Sequence, residues 1–139
     1  MPEFVPQHVP ASLPPFVRGY LTAAEWLLDD DTDRDRLRGF TRAAICQATA
    51  ECAAWQAAQA DDLAAWCEAT GRDDYSAGID YWLSRTGSGS GYSDRDGAGA
   101  AGERLADAAR DDGNRDTMVN RGRIEFFPPA ASTQPECVA

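Results

Sequence analysis

The stretch that most constrains this chain is Gly78-Ile79-Asp80-Tyr81-Trp82-Leu83-Ser84-Arg85-Thr86-Gly87-Ser88-Gly89-Ser90-Gly91-Tyr92-Ser93-Asp94-Arg95. Tyr75, Ile79, Trp82 and Leu83 fall on one side of a helix that Asp73 or Asp74 can cap. The glycines at 87, 89 and 91 then end that helix, because glycine is a poor helix former and a favoured C-terminal stop. The expected outcome is a helix exit that folds Tyr92 and Asp94-Arg95 back beside Trp82.

Helical spacing governs most of the remaining chain. After Pro14-Pro15, Phe16, Tyr20, Ala23 or Ala24, and Leu27 recur at three and four residues, widened by Trp26 and Leu28. Thr32 or Asp33 can cap a long second segment with Leu37, Phe40, Ala44, Ile45, Ala48, Cys52, Trp55 and Gln59 as its stripe. Leu63, Trp66 and Cys67 resume beyond Asp61-Asp62, and Gly71 is a stop; one helix or a hairpin of two both fit. Ala101, Leu105 and Ala108 give a further helix, and residues 118–126 read as a β-hairpin turning at Asn120 to Gly122. The expectation is a mainly α (α+β) domain of about four helices with a C-terminal hairpin. It spans 15–127, between a Pro-rich tail at 1–14 and a second flexible tail at 128–139.

The formal charge of −10 is uneven. Residues 43–84 hold seven acids against the single Arg72, while 29–42 nearly cancel with five Asp against four Arg. Such a balance disfavours direct binding to nucleic acid or an anionic membrane and suits a basic protein partner. Glu51, Asp61, Asp62 and Glu68 are the candidate partner-binding acidic face. No apolar run approaches the roughly 18 residues of a membrane span, and the N-terminus lacks the pattern of a secretory signal. A cytosolic protein is expected.

Most catalytic chemistries find no residues to carry them. The only histidine, His8, lies in the Pro-rich segment and reads as solvated. Cys46, Cys52, Cys67 and Cys137 lack zinc spacing. On one helix Cys46 and Cys52 would lie about 9 Å apart along the axis and roughly 120° around it, outside disulfide reach. Cysteines 46, 52 and 67 therefore read as small core residues. Asp29, Asp31, Asp33 and Asp35 start like a calcium loop but lack its glycine and closing glutamate. All thirteen basic residues are arginine, so the glycine loop cannot be a Walker loop, and the helix before it rules out a dinucleotide fingerprint. A ligand-binding loop would use Asp80, Arg85, Gly87, Gly89, Gly91, Asp94 and Arg95 to hold a small anion. The competing expectation is local pairing of these groups. The four tryptophans, at 26, 55, 66 and 82, read as core, and Asp61-Asp62 and Asp111-Asp112 as solvated helix boundaries. No metal and no cofactor are expected.

The 78–95 stretch resembles a family of small uncharacterised proteins of tailed bacteriophages and prophages, whose motif runs close to G-H-D-F-W-L-T-R-x-G-H-G-A-G-F-W-D-R. Gly78, Asp80, Trp82, Leu83, Arg85, Gly87, Gly89, Gly91, Asp94 and Arg95 match, and Tyr81, Ser84 and Tyr92 are conservative replacements. Tyr20-Leu21, Ala24-Glu25-Trp26, Asp29-Asp30 and Glu51-Cys52-Ala53-Ala54-Trp55 resemble the family's helical half, extending the likeness over about residues 16–126. Both motif histidines are replaced, by Ile79 and Ser88, and Ser93 stands at the second aromatic. The resemblance implies a setting and no established activity. The leading expectation is a non-enzymatic phage or prophage accessory protein that binds a host or phage macromolecule, with counter-defence through an acidic surface as one form. The alternatives are a small-ligand-binding protein or enzyme using loop 87–91, and a virion or assembly component.

Overall fold

A computed structural model describes residues 8–29, 31–88 and 91–127. Residues 1–7, Gly89 and the 128–139 segment with Cys137 lie outside the described residues, so the expectations for the distal tails and that glycine find no counterpart here. Five α-helices and a three-stranded sheet form a mainly α domain. They are α1 (Pro15–Trp26), β1 (Gly39–Phe40), α2 (Arg42–Ala58), α3 (Ala60–Thr70), α4 (Asp74–Thr86), α5 (Gly99–Asp111), β2 (Asp116–Asn120) and β3 (Arg123–Phe127). Short 3-10 turns lie at Arg34–Arg36 and Tyr92–Asp94.

The long segment expected from residue 33 divides three ways. Leu37 and Phe40 are buried as expected, but not on a helix. The N–H of Arg38 donates to Gly122 O at 2.6 Å and that of Thr41 to Ile124 O at 3.0 Å. Gly39–Phe40 thereby forms a strand parallel to β3, and pairing to the distant hairpin overrides helical propensity. The cap is Thr41, whose hydroxyl accepts from Ala44 N at 3.1 Å, instead of Thr32 or Asp33. The chain then breaks at Gln59, before Asp61-Asp62, which occupy the first turn of α3. Acids are favoured there by the helix dipole. Gly71 terminates α3 in the left-handed conformation, and Asp73 caps α4 by accepting from Ser76 N at 3.0 Å.

The hairpin closes through two residues, Arg121 and Gly122, both at positive φ (53° and 80°). Such a turn matches the natural twist of paired strands. The sheet order is β1-β3-β2, with β2 antiparallel to β3. Ile124 and Phe126 point inward and are buried.

A succession of aromatic rings runs through the core from sheet to α3. Phe40 meets Phe126 at 6.0 Å between centroids, and Phe126 meets Trp82 at 5.5 Å. Trp82 meets Tyr20 edge-on at 5.2 Å, and Tyr20 meets Tyr81 at 5.3 Å. Tyr81 stacks on Trp55 at 4.3 Å, and Tyr92 lies between Trp55 at 6.2 Å and Trp66 at 5.2 Å. Tyr92 therefore folds back onto α4 as expected, but its ring packs against Trp55 and Trp66, whereas the ring neighbours of Trp82 are Tyr20 and Phe126. Trp55, Trp66 and Trp82 are core residues, whereas Trp26, at the last turn of α1, is 52% exposed; Leu28 turns inward in its stead. Cys52 is fully buried, and Cys46 and Cys67 are half-buried free thiols.

His8 is also not solvated. Its Nδ1 lies 2.8 Å from Glu25 Oε1, and Val9 and Leu13 pack against the core. Arg34 donates to the carbonyls of Glu25, Trp26 and Leu28 at 3.1–3.2 Å, satisfying the open end of α1.

Helices α1 and α4 approach so closely that each presents a glycine to the other's backbone. A Cβ on Gly19 would overlap Tyr75 O, and one on Gly78 would overlap Phe16 O. Neither carbonyl can retreat without separating the helices. Gly78→Ala and Gly19→Ala are each expected to lose about 1–3 kcal/mol or more in urea unfolding. Wild-type midpoints for both would mean that this contact is looser than described.

Candidate functional site

Of the residues expected at a ligand loop, Asp80 pairs with Arg95 and Asp94 with the Gly91 backbone, while Arg85 turns to other partners. Asp80 is 1% exposed, and Arg95 grips it with two hydrogen bonds, Nε to Oδ2 at 2.8 Å and Nη2 to Oδ1 at 2.6 Å. The Asp80 hydrogen bond is the main reason the Arg95 guanidinium is held above its ordinary pKa. Asp94 accepts from Gly91 N at 2.9 Å. Gly87 ends α4 at φ +65°, with Ser88 N donating back to Leu83 O at 3.0 Å. Gly91 lies against Ser84 with no room for a side chain, so that Ser84 Oγ accepts from Tyr92 N at 3.1 Å.

This return places Tyr92 at the centre of a buried polar knot. Its hydroxyl donates to Ala77 O at 2.7 Å and accepts from Trp55 Nε1 at 3.3 Å, while its carbonyl accepts from Trp66 Nε1 at 3.0 Å. Burial pushes the phenol well above its ordinary pKa, so Tyr92 stays neutral and serves as a tie between α2, α3 and α4.

Arg85 leaves the loop altogether. Its Nε donates to Gly113 O at 2.8 Å and its Nη2 to Asp112 O at 3.1 Å; its Nη1 donates to Glu51 Oε1 at 2.6 Å and Tyr20 Oη at 3.1 Å. Its carbon also lies 5.3 Å from the Tyr81 ring centre. Burial opposes the charge, but the surrounding Tyr20, Tyr81 and Glu51 oxygens outweigh it and raise the pKa. Arg115 completes the cluster, donating to Glu51 Oε1 and Oε2 at 3.2 and 2.8 Å.

Of the four residues expected on an acidic face, two are paired with arginines. Glu51 is enclosed by two arginines. Asp62 pairs with Arg104 at 2.8 Å, which lowers its pKa chiefly through that hydrogen bond. Asp61 and Glu68 remain exposed on α3.

Beside Arg85 opens a cleft of about 400 Å³, lined by Glu51, Trp55, Gln59, Tyr81, Asp112 and Arg115 among others. Tyr81 Oη donates to Asp112 Oδ2 at 2.7 Å, so Asp112 is engaged where a solvated helix end was expected. Burial, with the Asp112 bond in support, pushes the Tyr81 phenol up. The cleft carries balanced charge over an aromatic wall. Tyr20 was legible as a stripe residue and Asp112 as a helix boundary, but nothing in the sequence marked their meeting with Arg115, which depends on how α1, α5 and β2 converge.

A second opening of about 170 Å³ lies between α2 and the hairpin, lined by Ala44, Gln47, Met118, Glu125, Phe126 and Phe127 among others. Gln47 is 3% exposed, and its amide Nε2 has no hydrogen-bond partner among the described residues. Met118, Val119 and Phe127 are the exposed apolar residues of the hairpin. Among the described residues no strand pairs with the outer edge of β2. No group of three or more metal-ligating side chains is found among the described residues, and no helix there is long and apolar enough to cross a membrane. Comparison with protein-family models, with curated proteins and with solved structures finds no match to the chain.

Deleting Arg95 leaves the buried Asp80 carboxylate without its counterion. Deleting Arg85 leaves Tyr20 Oη and the carbonyls of Asp112 and Gly113 without their donor, while Glu51 keeps Arg115. Arg95→Ala and Arg85→Ala are each expected to cost about 3–5 kcal/mol in chemical denaturation; a ligand role would instead leave stability near wild type. The Glu51 carboxyl supplies a pH test. Burial pushes it up, but the Arg115 and Arg85 hydrogen bonds outweigh this and hold it below 4.5. Its pairing thus stabilises the fold above that pH and is lost as pH falls through the lower folded value. Glu51→Gln should be less stable at neutral pH and lose less stability than wild type from about pH 5 to about pH 3. Parallel acid limbs would contradict the pairing.

Proposed function

We propose that this is a non-enzymatic accessory protein of a phage or prophage that acts in the host cytosol by binding another macromolecule, most simply a protein. The setting rests on the resemblance of residues 78–95. The mode of action rests on the surface. The polar groups of the glycine loop engage partners inside the fold, while Met118 and Phe127, at 44% and 52% exposed, share one face of the hairpin, opposite to Val119. Apolar side chains grouped in this way favour a docking surface. The exposed acids Asp61 and Glu68 belong to a different element, α3, and can at most add charge preference for a basic partner.

The small-ligand reading moves from the loop to the cleft beside Arg85. Trp55 and Tyr81 would offer a stacking wall, and Arg115 and Asp112 would orient polar groups. Its support is the cleft's volume alone, because its polar groups also hold the fold together.

Capture from host lysate separates these readings. The wild-type chain is expected to retain a partner that Met118→Asp/Phe127→Asp loses and Asp61→Arg/Glu68→Arg keeps. Loss through the acid reversal alone would return the contact to an electrostatic face. Thermal stabilisation by a small metabolite with no captured macromolecule would favour the cleft.

A further inference from the structure

The outer edge of β2 has a definite hydrogen-bonding pattern. Arg121–Gly122 is a two-residue turn, so Asn120 and Arg123 form the hydrogen-bonded pair that closes it. Alternation makes Met118↔Glu125 the next such pair and leaves Val119↔Ile124 and Thr117↔Phe126 without mutual hydrogen bonds. The other edge of β3 agrees, since Ile124 O accepts from Thr41 N of the β1 side and so faces away from β2. The N–H and C=O groups of Thr117 and Val119 therefore point outward, away from β3. Among the described residues they have no sheet partner.

Met118 belongs both to this edge strand and to the wall of the 170 Å³ opening that holds Gln47. Gln47 is the second observation. A buried amide without a partner opposes folding, and leucine of similar size would fill the position without that penalty. A bound group in the opening would supply the acceptor that this amide lacks among the described residues.

We propose that β2 receives an extended peptide segment of a partner protein as a fourth strand, pairing with the outward groups of Thr117 and Val119, with one side chain seated against Met118 and Phe127 and an acceptor oxygen offered to Gln47. This rests on the reading of the protein as a binding protein and specifies the partner's form. A second copy of the chain fits less well. In an antiparallel two-fold pairing centred on β2, Met118 meets Met118 and the strand brings no acceptor to Gln47. Strand addition supplies affinity through main-chain hydrogen bonds and specificity through alternate side-chain pockets.

The test selects binders from a displayed library of random peptides about seven residues long, a typical strand length. Selected peptides are then titrated against the full chain with amide hydrogen exchange as readout. The expected result is that the Thr117 and Val119 amides become protected on binding. Val119→Pro removes one outward N–H and no β2–β3 hydrogen bond, and it should weaken binding about tenfold or more. Gln47→Leu should weaken the same peptides while raising the melting temperature, so weaker binding cannot be ascribed to misfolding. Binding that leaves both amides exchanging freely, or that is indifferent to Val119→Pro and Gln47→Leu, overturns strand addition. So does a library that yields no binder, or a concentration-dependent dimer abolished by Val119→Pro. If wild type and Val119→Pro capture the same lysate partner, strand addition fails and the binding reading stands. If neither captures anything, both fail.

Discussion

The structure depends most on the burial of one guanidinium. Arg85 is 6% exposed, and a charge so placed persists only when its donors are matched. Its partners come from three places in the chain: Tyr20 on α1, Glu51 on α2, and the carbonyls of Asp112 and Gly113 where α5 ends. Those two carbonyls lie at a helix C-terminus, where backbone acceptors lack intrahelical donors. One arginine thus satisfies a helix end and joins three other helices to α4. Arg115, one residue before β2, holds the same Glu51 carboxylate and carries the constraint into the hairpin.

A second buried ion pair, Asp80 with Arg95, sits farther along the same helix. Between them residues 80–85 are all buried. Helix α4 can therefore be the central element only if its polar positions meet partners on each side. The Tyr92 knot does this for Ser84 and the Ala77 carbonyl. The glycines are what allow it: Gly19 and Gly78 bring α1 and α4 to backbone contact, and Gly91 brings the returning chain onto Ser84. The loop that suggested an anion cradle serves the geometry of the core.

Local patterns conveyed the helices well because each buries a stripe that the periodicity records. Ala44, Ala48, Cys52 and Trp55 were legible on α2, as were Leu105 on α5 and the turn at 120–122. The failures share one cause. Leu37 and Phe40 fit a helical stripe and are buried, but partners about eighty residues away make Gly39–Phe40 a strand. Trp26 satisfies the period of α1 yet lies at its final turn, past the reach of the core. The site was least legible. Arg85 and Arg95 both flank the glycines in sequence, but Arg85 points from α4 to Glu51 while the chain returning past Tyr92–Asp94 brings Arg95 to Asp80. Asp112 and Arg115 matter through tertiary convergence, which spacing does not encode.

What remains exposed on the hairpin has a cost of its own. Among the described residues the outer edge of β2 has no strand partner, and such an edge invites indiscriminate pairing. The chain limits that hazard without closing the edge. β2 is only five residues long, opens with Asp116, and leads into Arg121 and Arg123 at the turn, so charges bracket two outward-facing residues. Short, charged edges oppose extended aggregation, yet two pairs of backbone groups suffice to fix a partner strand's register. The same economy distinguishes this edge from the cleft beside Arg85. The cleft's polar groups already sustain the core, and a ligand that drew on them would loosen α1, α2 and α5 together. A partner at β2 would draw on backbone groups without a sheet partner among the described residues, and would satisfy the Gln47 amide that has no hydrogen-bond partner there.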